Sequence, residues 1–159
     1  MLNLFKKHKG TIICSPVDGE LIDISKVSDP TFAEKMLGDG VAIIPHSNDI
    51  VSPATGEVAM VFDTHHAASI VTNGIELLIH CGIDTVNLKG RCFEAHTENG
   101  AKISTGDALL TMDVDGVRES GYDTVIPIIV LNTPEMKSIT PKAYGPVKAG
   151  DPIMEIEIQ

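Results

Sequence analysis

Tryptophan is absent from the chain, and only 4% of its 159 residues are aromatic. The core must therefore be built from Val, Ile, Leu, Met and Ala, and with 43% hydrophobic and 21% charged residues the balance is globular. Basic residues are scarce too: 12 Lys and Arg stand against 22 Asp and Glu, a formal net charge of −10. So acidic a surface repels phosphate backbones and anionic headgroups, which argues against nucleic acid and for a basic protein partner. The three cysteines, Cys14, Cys81 and Cys92, contain no C-x-x-C pair. That excludes a disulfide framework and a cysteine-rich zinc site, and points to a reducing compartment. The opening MLNLFKKHKG is too short in apolar length for a signal peptide or a membrane span, so the chain reads as cytoplasmic.

What is abundant is short runs of β-branched residues separated by Gly, Pro, Asp and Asn. They recur near residues 11–14, 20–24, 41–44, 57–62, 76–80, 108–114, 125–131 and 153–158. This rhythm predicts an all-β fold, an antiparallel β-sandwich with one or two short helical turns. The helical turns are expected at 32–37 and 133–138. Two internal repeats suggest quasi-duplicated hairpins. Ser15-Pro16-Val17-Asp18-Gly19-Glu20-Leu21 returns as Ser52-Pro53-Ala54-Thr55-Gly56-Glu57-Val58, and the segment from Gly100 to Asp107 returns loosely as Gly145 to Asp151. No linker divides the chain, which reads as a flexible N-terminal segment, 1–10, and a single domain, 11–159.

Of six histidines, His80 is the informative one. Strand alternation places Leu77 and Ile79 on one face, and Glu76, Leu78 and His80 on the other. If the first pair enters the core, His80 emerges beside an exposed Leu78, with Gly82 leaving space for a partner's approach. Asp84 is near enough in sequence to accept a bond from a ring N–H and so set the tautomer. A lone histidine at a strand end is more often structural than functional, and alternation does not separate the two readings.

The surrounding motif does separate them. Gly74, Leu77-Leu78-Ile79, His80, Gly82-Ile83-Asp84-Thr85-Val86 and Leu88-Lys89-Gly90 resemble the phosphorylation motif of the glucose-type enzyme IIA family of the bacterial sugar phosphotransferase system. Phe32-Ala33-Glu34-Lys35, Gly38-Asp39-Gly40-Val41-Ala42-Ile43, Ser52-Pro53 and Gly150-Asp151-Pro152 extend the resemblance over nearly the whole chain, in order. The family departures are Cys81, Ala68 and Leu78, where bulkier apolar or aromatic residues are usual, and a turn at Asn73-Gly74 one residue shorter. Cys81 reads as a small apolar filler facing away from His80.

The resemblance implies a phosphoryl carrier that accepts the group on His80, through Nε2, from the phosphohistidine of a small phosphocarrier protein. It passes the group to a cysteine of a sugar-specific enzyme IIB domain. Thr64-His65-His66-Ala67 matches the family's second active-site histidine at His66, which would bind the phosphoryl oxygens, with Thr64 and Asp84 in support. Asp29, Phe32, Met36, Leu37, Phe62 and Leu78 match the family's docking patch. The competing reading makes Phe32, Met36 and Leu37 a short amphipathic turn packed on the core. The protein would be transiently recruited to a membrane permease and would require no cofactor.

Two other classes compete. A zinc peptidase of related sandwich fold could use His66, His80 and Asp84, but the H-x-H pair is missing because Cys81-Gly82 follows His80. Zinc shared by His66 and His80 alone is the metal reading this leaves open. A biotin- or lipoate-carrying module could use Glu135-Met136-Lys137-Ser138, but Ser138 stands where a second Met is usual. No G-x-x-x-x-G-K-S/T loop is present, which suits a carrier better than an ATP-using kinase.

Overall fold

A computed structural model describes residues 10–159. The N-terminal segment proposed at 1–10 lies outside the described residues apart from Gly10. In chain order the strands begin with β1 (Thr11–Cys14), β2 (Gly19–Asp23), β3 (Gly40–Pro45), β4 (Asp49–Val51) and β5 (Gly56–Val61). They continue with β6 (Ala67–Thr72), β7 (Ile75–His80), β8 (Phe93–Ala95), β9 (Lys102–Ile103) and β10 (Ala108–Met112). The last are β11 (Ile126–Val130), β12 (Met136–Pro141), β13 (Gly145–Val147) and β14 (Pro152–Ile158). All pairings are antiparallel.

One large sheet runs β13-β2-β3-β11-β7-β6-β5-β9, and two small ones run β1-β14-β12 and β4-β10-β8. Leu21, Ile43, Leu77 and Ile128 from the large sheet share one core with Ile13 and Ile153 from one small sheet and Leu109 and Leu110 from the other. That is the expected sandwich. The absence of tryptophan is made good by aliphatic packing, with 0% exposure at Leu21, Ile43, Leu77, Ile79 and Ile128.

The sequence repeats turn out to be structural partners. Ser15 and Ser52 are both buried, and each donates its hydroxyl two residues on, to Val17 O at 2.7 Å and Ala54 O at 2.6 Å. Each is also clasped by the second repeat: Ser15 N donates to Asp151 O and Gly150 N to Ser15 O, while Ser52 N donates to Asp107 O and Gly106 N to Ser52 O. The carboxylates of Asp107 and Asp151 cap equivalent turns at Ser104 N and Lys148 N. Small polar side chains thus satisfy backbone groups that the sharp chain reversals would otherwise bury unpaired.

The short helices differ from expectation. The first, α1, covers Pro30–Ala33 rather than 32–37, because Asp29 caps it by accepting from Thr31 N and Pro30 sits in its first turn. At 133–138 only Thr133–Glu135 is a 3-10 turn, and Met136 begins β12. The strand expected at 108–114 ends at Met112, and a second helix, α2 (Val114–Glu119), follows it. Asp113 starts it by accepting from Gly116 N at 3.1 Å, and the spacing of Asp113, Val114 and Val117 was the overlooked signal.

Candidate functional site

The site begins with a hairpin register. Asn73 (φ 48°) and Gly74 (φ 79°) are both left-handed, as a two-residue turn demands, and they join β6 to β7. The pairing that starts at Thr72 with Ile75 therefore ends at Ala67 with His80. His66, one residue before Ala67, lies beside the end of β7, and its carbonyl accepts from Cys81 N at 2.8 Å. Two histidines 14 positions apart in sequence come together with ring centroids 5.0 Å apart and planes at 81°.

Each ring is held by its Nδ1. That of His80 lies 2.7 Å from Gly82 O, and that of His66 lies 2.5 Å from Thr64 Oγ1. A carbonyl only accepts, so His80 Nδ1 carries the proton and the lone pair of the neutral ring is on Nε2. The rings of Phe32 and Phe62 stand 5.0 Å from His80 and 5.5 Å from His66 respectively. Burial lowers the pKa of His80, against the raising influence of the Gly82 bond and the carboxylates of Asp29 and Asp84. Burial, and then the nearby His80, lower that of His66 to about 4. Both rings are neutral at pH 7.

His80 lines an open depression of about 540 Å³ with Asp29, Phe32, Leu37, Phe62 and Leu78. The floor is a second apolar cluster that includes Ile24, Phe32, Leu78 and Ile129. Most of the patch expected from the sequence is therefore gathered here, with two corrections. Leu78 is buried at 5% exposure rather than exposed, because Phe32 and Ile83 pack in the same cluster. Phe32 is equally a core residue, at 4% exposure, whereas Met36 and Leu37 stand out at 70% and 42%. The packed-turn reading holds for Phe32, while Met36 and Leu37 remain exposed.

Asp84 lines the depression but does not hold the His80 ring. The Gly82 carbonyl takes Nδ1, and Asp84 acts on His80 through its charge. Sequence reasoning missed Met60 and Val86, which also line the depression and are 47% and 48% exposed. Exposed apolar residues next to the motif were the available signal. Cys81 is fully buried in the main core with its thiol pushed up to about 12, a filler rather than a nucleophile.

The competing classes lose their footing. Among the described residues no group of three or more His, Cys, Asp or Glu is arranged to hold a metal ion, so a peptidase's ligand set is lacking. Lys137 lies within β12 and pairs with Glu157 at 3.3 Å, instead of projecting from a hairpin tip as a swinging-arm lysine would.

Similarity to known proteins follows this geometry. The glucose-specific EIIA component of the phosphotransferase system (PTS) of Halalkalibacterium halodurans is 44% identical over 150 residues, covering 93% of this chain and 87% of the relative. The β-glucoside-specific EIIBCA component of Bacillus subtilis is 38% identical over 152 residues, which are 94% of this chain and 25% of that longer protein. Glucose permease IIA from Mycoplasma capricolum superimposes with a TM-score of 0.86 at 37% identity, covering 95% of this chain and 97% of that one. The model of the phosphoenolpyruvate-dependent sugar phosphotransferase system EIIA 1 family matches residues 11–136. The chain belongs to that family and is a phosphotransferase, a phosphoryl-carrying component of sugar uptake.

Proposed function

We propose that His80 Nε2 is the atom that carries the phosphoryl group. The observation behind this is the 2.7 Å bond from Nδ1–H to Gly82 O, which leaves the lone pair on Nε2 in a ring that lines the depression. The incoming donor is the phosphohistidine of a small phosphocarrier protein. Its P–N bond breaks as the bond to Nε2 forms, in line, and the donor ring leaves as a neutral imidazole. The His80 ring then bears a proton on Nδ1 and phosphorus on Nε2, so it is a cation. Gly82 O and the carboxylates of Asp29 and Asp84 stabilise that charge, as they raise the pKa of the free ring.

His66 is the partner of the phosphoryl oxygens. In the tautomer in which the Thr64 hydroxyl donates to Nδ1, the Nε2 of His66 carries a proton that can bind a developing negative charge. The group then passes to a cysteine thiolate of an EIIB domain, as the P–N bond to His80 breaks. Relatives in which the matching region is part of an EIICBA or EIIBCA protein support that recipient. The apolar depression and the charge of −10 suit docking by a partner with an apolar centre and basic rim. The protein works from the cytoplasm and is recruited transiently to a permease; among the described residues no helix is long and apolar enough to cross a membrane. No cofactor takes part in the transfer.

The test is transfer from phosphoenolpyruvate through magnesium-loaded enzyme I and the phosphocarrier protein. Wild type becomes labelled with an acid-labile phosphoryl group and His80→Ala does not. His66→Ala is labelled but passes the group on about a hundredfold more slowly. A wild type that stays unlabelled beside a competent donor overturns the proposal.

A further inference from the structure

Free histidine in neutral water favours the tautomer with its proton on Nε2, the atom that must here be bare. Something must hold Gly82 O in place to draw the proton to Nδ1. Two successive peptide planes do so, and each is bonded at both ends. In the Cys81–Gly82 plane, Gly82 N donates to Val125 O at 2.9 Å and Cys81 O accepts from Thr85 Oγ1 at 2.6 Å. In the Gly82–Ile83 plane, Ile83 N donates to Asp123 O at 3.0 Å and Gly82 O accepts from His80 Nδ1.

Apart from the His80 ring itself, Thr85 supplies the one tether in this set that comes from a side chain. It is 0% exposed, although it is polar and adjoins a surface depression lined by Asp84 and Val86 on either side of it in sequence. Its methyl group presses on the same turn. A Cβ built on Gly82 (φ +83°) would stand 2.5 Å from Thr85 Cγ2 and 3.0 Å from Asp123 O. The turn is therefore closed on one side by the threonine methyl, and its first plane is held by the threonine hydroxyl. Such support of a reacting group by an outer residue decides whether it is presented in a productive orientation.

We propose that Thr85 is a positioning residue for phosphoryl transfer: its bond to Cys81 O aims Gly82 O at His80 and keeps Nε2 unprotonated. The inference rests on His80 being the acceptor, as proposed above, but its first readout does not need phosphoryl transfer at all.

The experiment is long-range ¹⁵N–¹H correlation of the histidine rings in the unphosphorylated protein at neutral pH, with wild type, Thr85→Val and Thr85→Ser, followed by labelling rates. Wild type shows the Nδ1–H tautomer at His80. Thr85→Val keeps the shape but removes the donor, so the ring shifts towards Nε2–H and labelling slows about tenfold. Thr85→Ser restores the donor, and brings both the tautomer and a rate within about threefold of wild type. Should Thr85→Val not fold, Thr85→Cys, whose thiol donates weakly, takes its place and lies between the two. An unchanged tautomer and rate in the folded donor-free variant overturn the inference, as does Nε2–H in wild type. Failure of wild type to accept phosphoryl, with the Nδ1–H tautomer present and sensitive to Thr85, overturns the assignment of His80 as acceptor and not the role of Thr85 in orienting it.

Discussion

Two apolar clusters meet across β7, and the strand's alternation divides them. Ile75, Leu77 and Ile79, with Cys81 just beyond, enter the main core between the large sheet and the two small ones. Leu78 enters the second cluster, which is covered by Phe32 of α1 and by turn residues such as Ile83 and Val125. A sheet seals its side completely, because paired strands present a continuous surface to pack against. A four-residue helix and a few turns leave a margin, and His80 sits at that margin. One face of the strand packs the main core while the other carries His80, the proposed nucleophile, to the open depression, so stability and the proposed chemistry fall on opposite faces.

The sharpest way to break this division is to truncate both faces. Leu77→Ala, fully buried in the main core, should lower unfolding free energy by about 3 kcal/mol and leave the labelling rate of folded protein unchanged. Leu78→Ala should cost about 2 kcal/mol and also slow labelling, because it opens the wall of the depression. Denaturant midpoints and initial labelling rates measure both; equal effects on rate would show that the two faces are not independent.

Acid sharpens the comparison next, since His66, buried at 4% exposure, stands against Phe62 at the edge of the second cluster. His66 titrates near 4 when folded, against about 6.5 when unfolded. Below pH 6.5 the unfolded chain binds a proton that the folded chain refuses, so the stability contributed by neutral His66 is present above 6.5 and lost as pH falls towards 4. His66→Gln should reduce the loss of stability between pH 6.5 and 4 by about 1–2 kcal/mol relative to wild type. Parallel stability–pH curves for the two proteins would contradict the burial assigned to the ring.

The smallest effect on stability falls outside both clusters. Met36 is 70% exposed, so Met36→Ala should change stability by less than about 0.5 kcal/mol while weakening productive encounter with the phosphocarrier protein. A Michaelis constant for the phosphorylated donor raised about threefold, with the limiting rate preserved, is the expected reading. An unchanged constant would place Met36 outside the docking surface.

Much of this was legible in the chain. Alternation along β7 placed Leu77 and Ile79 in the core and His80 on the opposite face, because pleat geometry is local. The motif around His80 and the doublet at His66 were readable because they are runs of particular residue types in order along the chain. What could not be read was cover. Leu78 was expected in solvent, but Phe32, from 46 positions upstream, packs with Ile83 and Val125 in the cluster that buries it. Asp84 was expected at the ring nitrogen, but the backbone carbonyl of Gly82 is already there at 2.7 Å. Carbonyls leave no trace in residue identity.

By itself, then, the sequence determined the strand rhythm, the acidic balance, the repeats and the family motif around His80, since each depends on local geometry or on composition. The tertiary structure decided the rest: that the repeats clasp one another, that the Asn73-Gly74 register sets His66 beside His80, and that the buried Thr85 bonds the turn that follows His80. Those outcomes depend on backbone groups and on residues far apart in the chain, and they exist only once the sheets have closed over a common core.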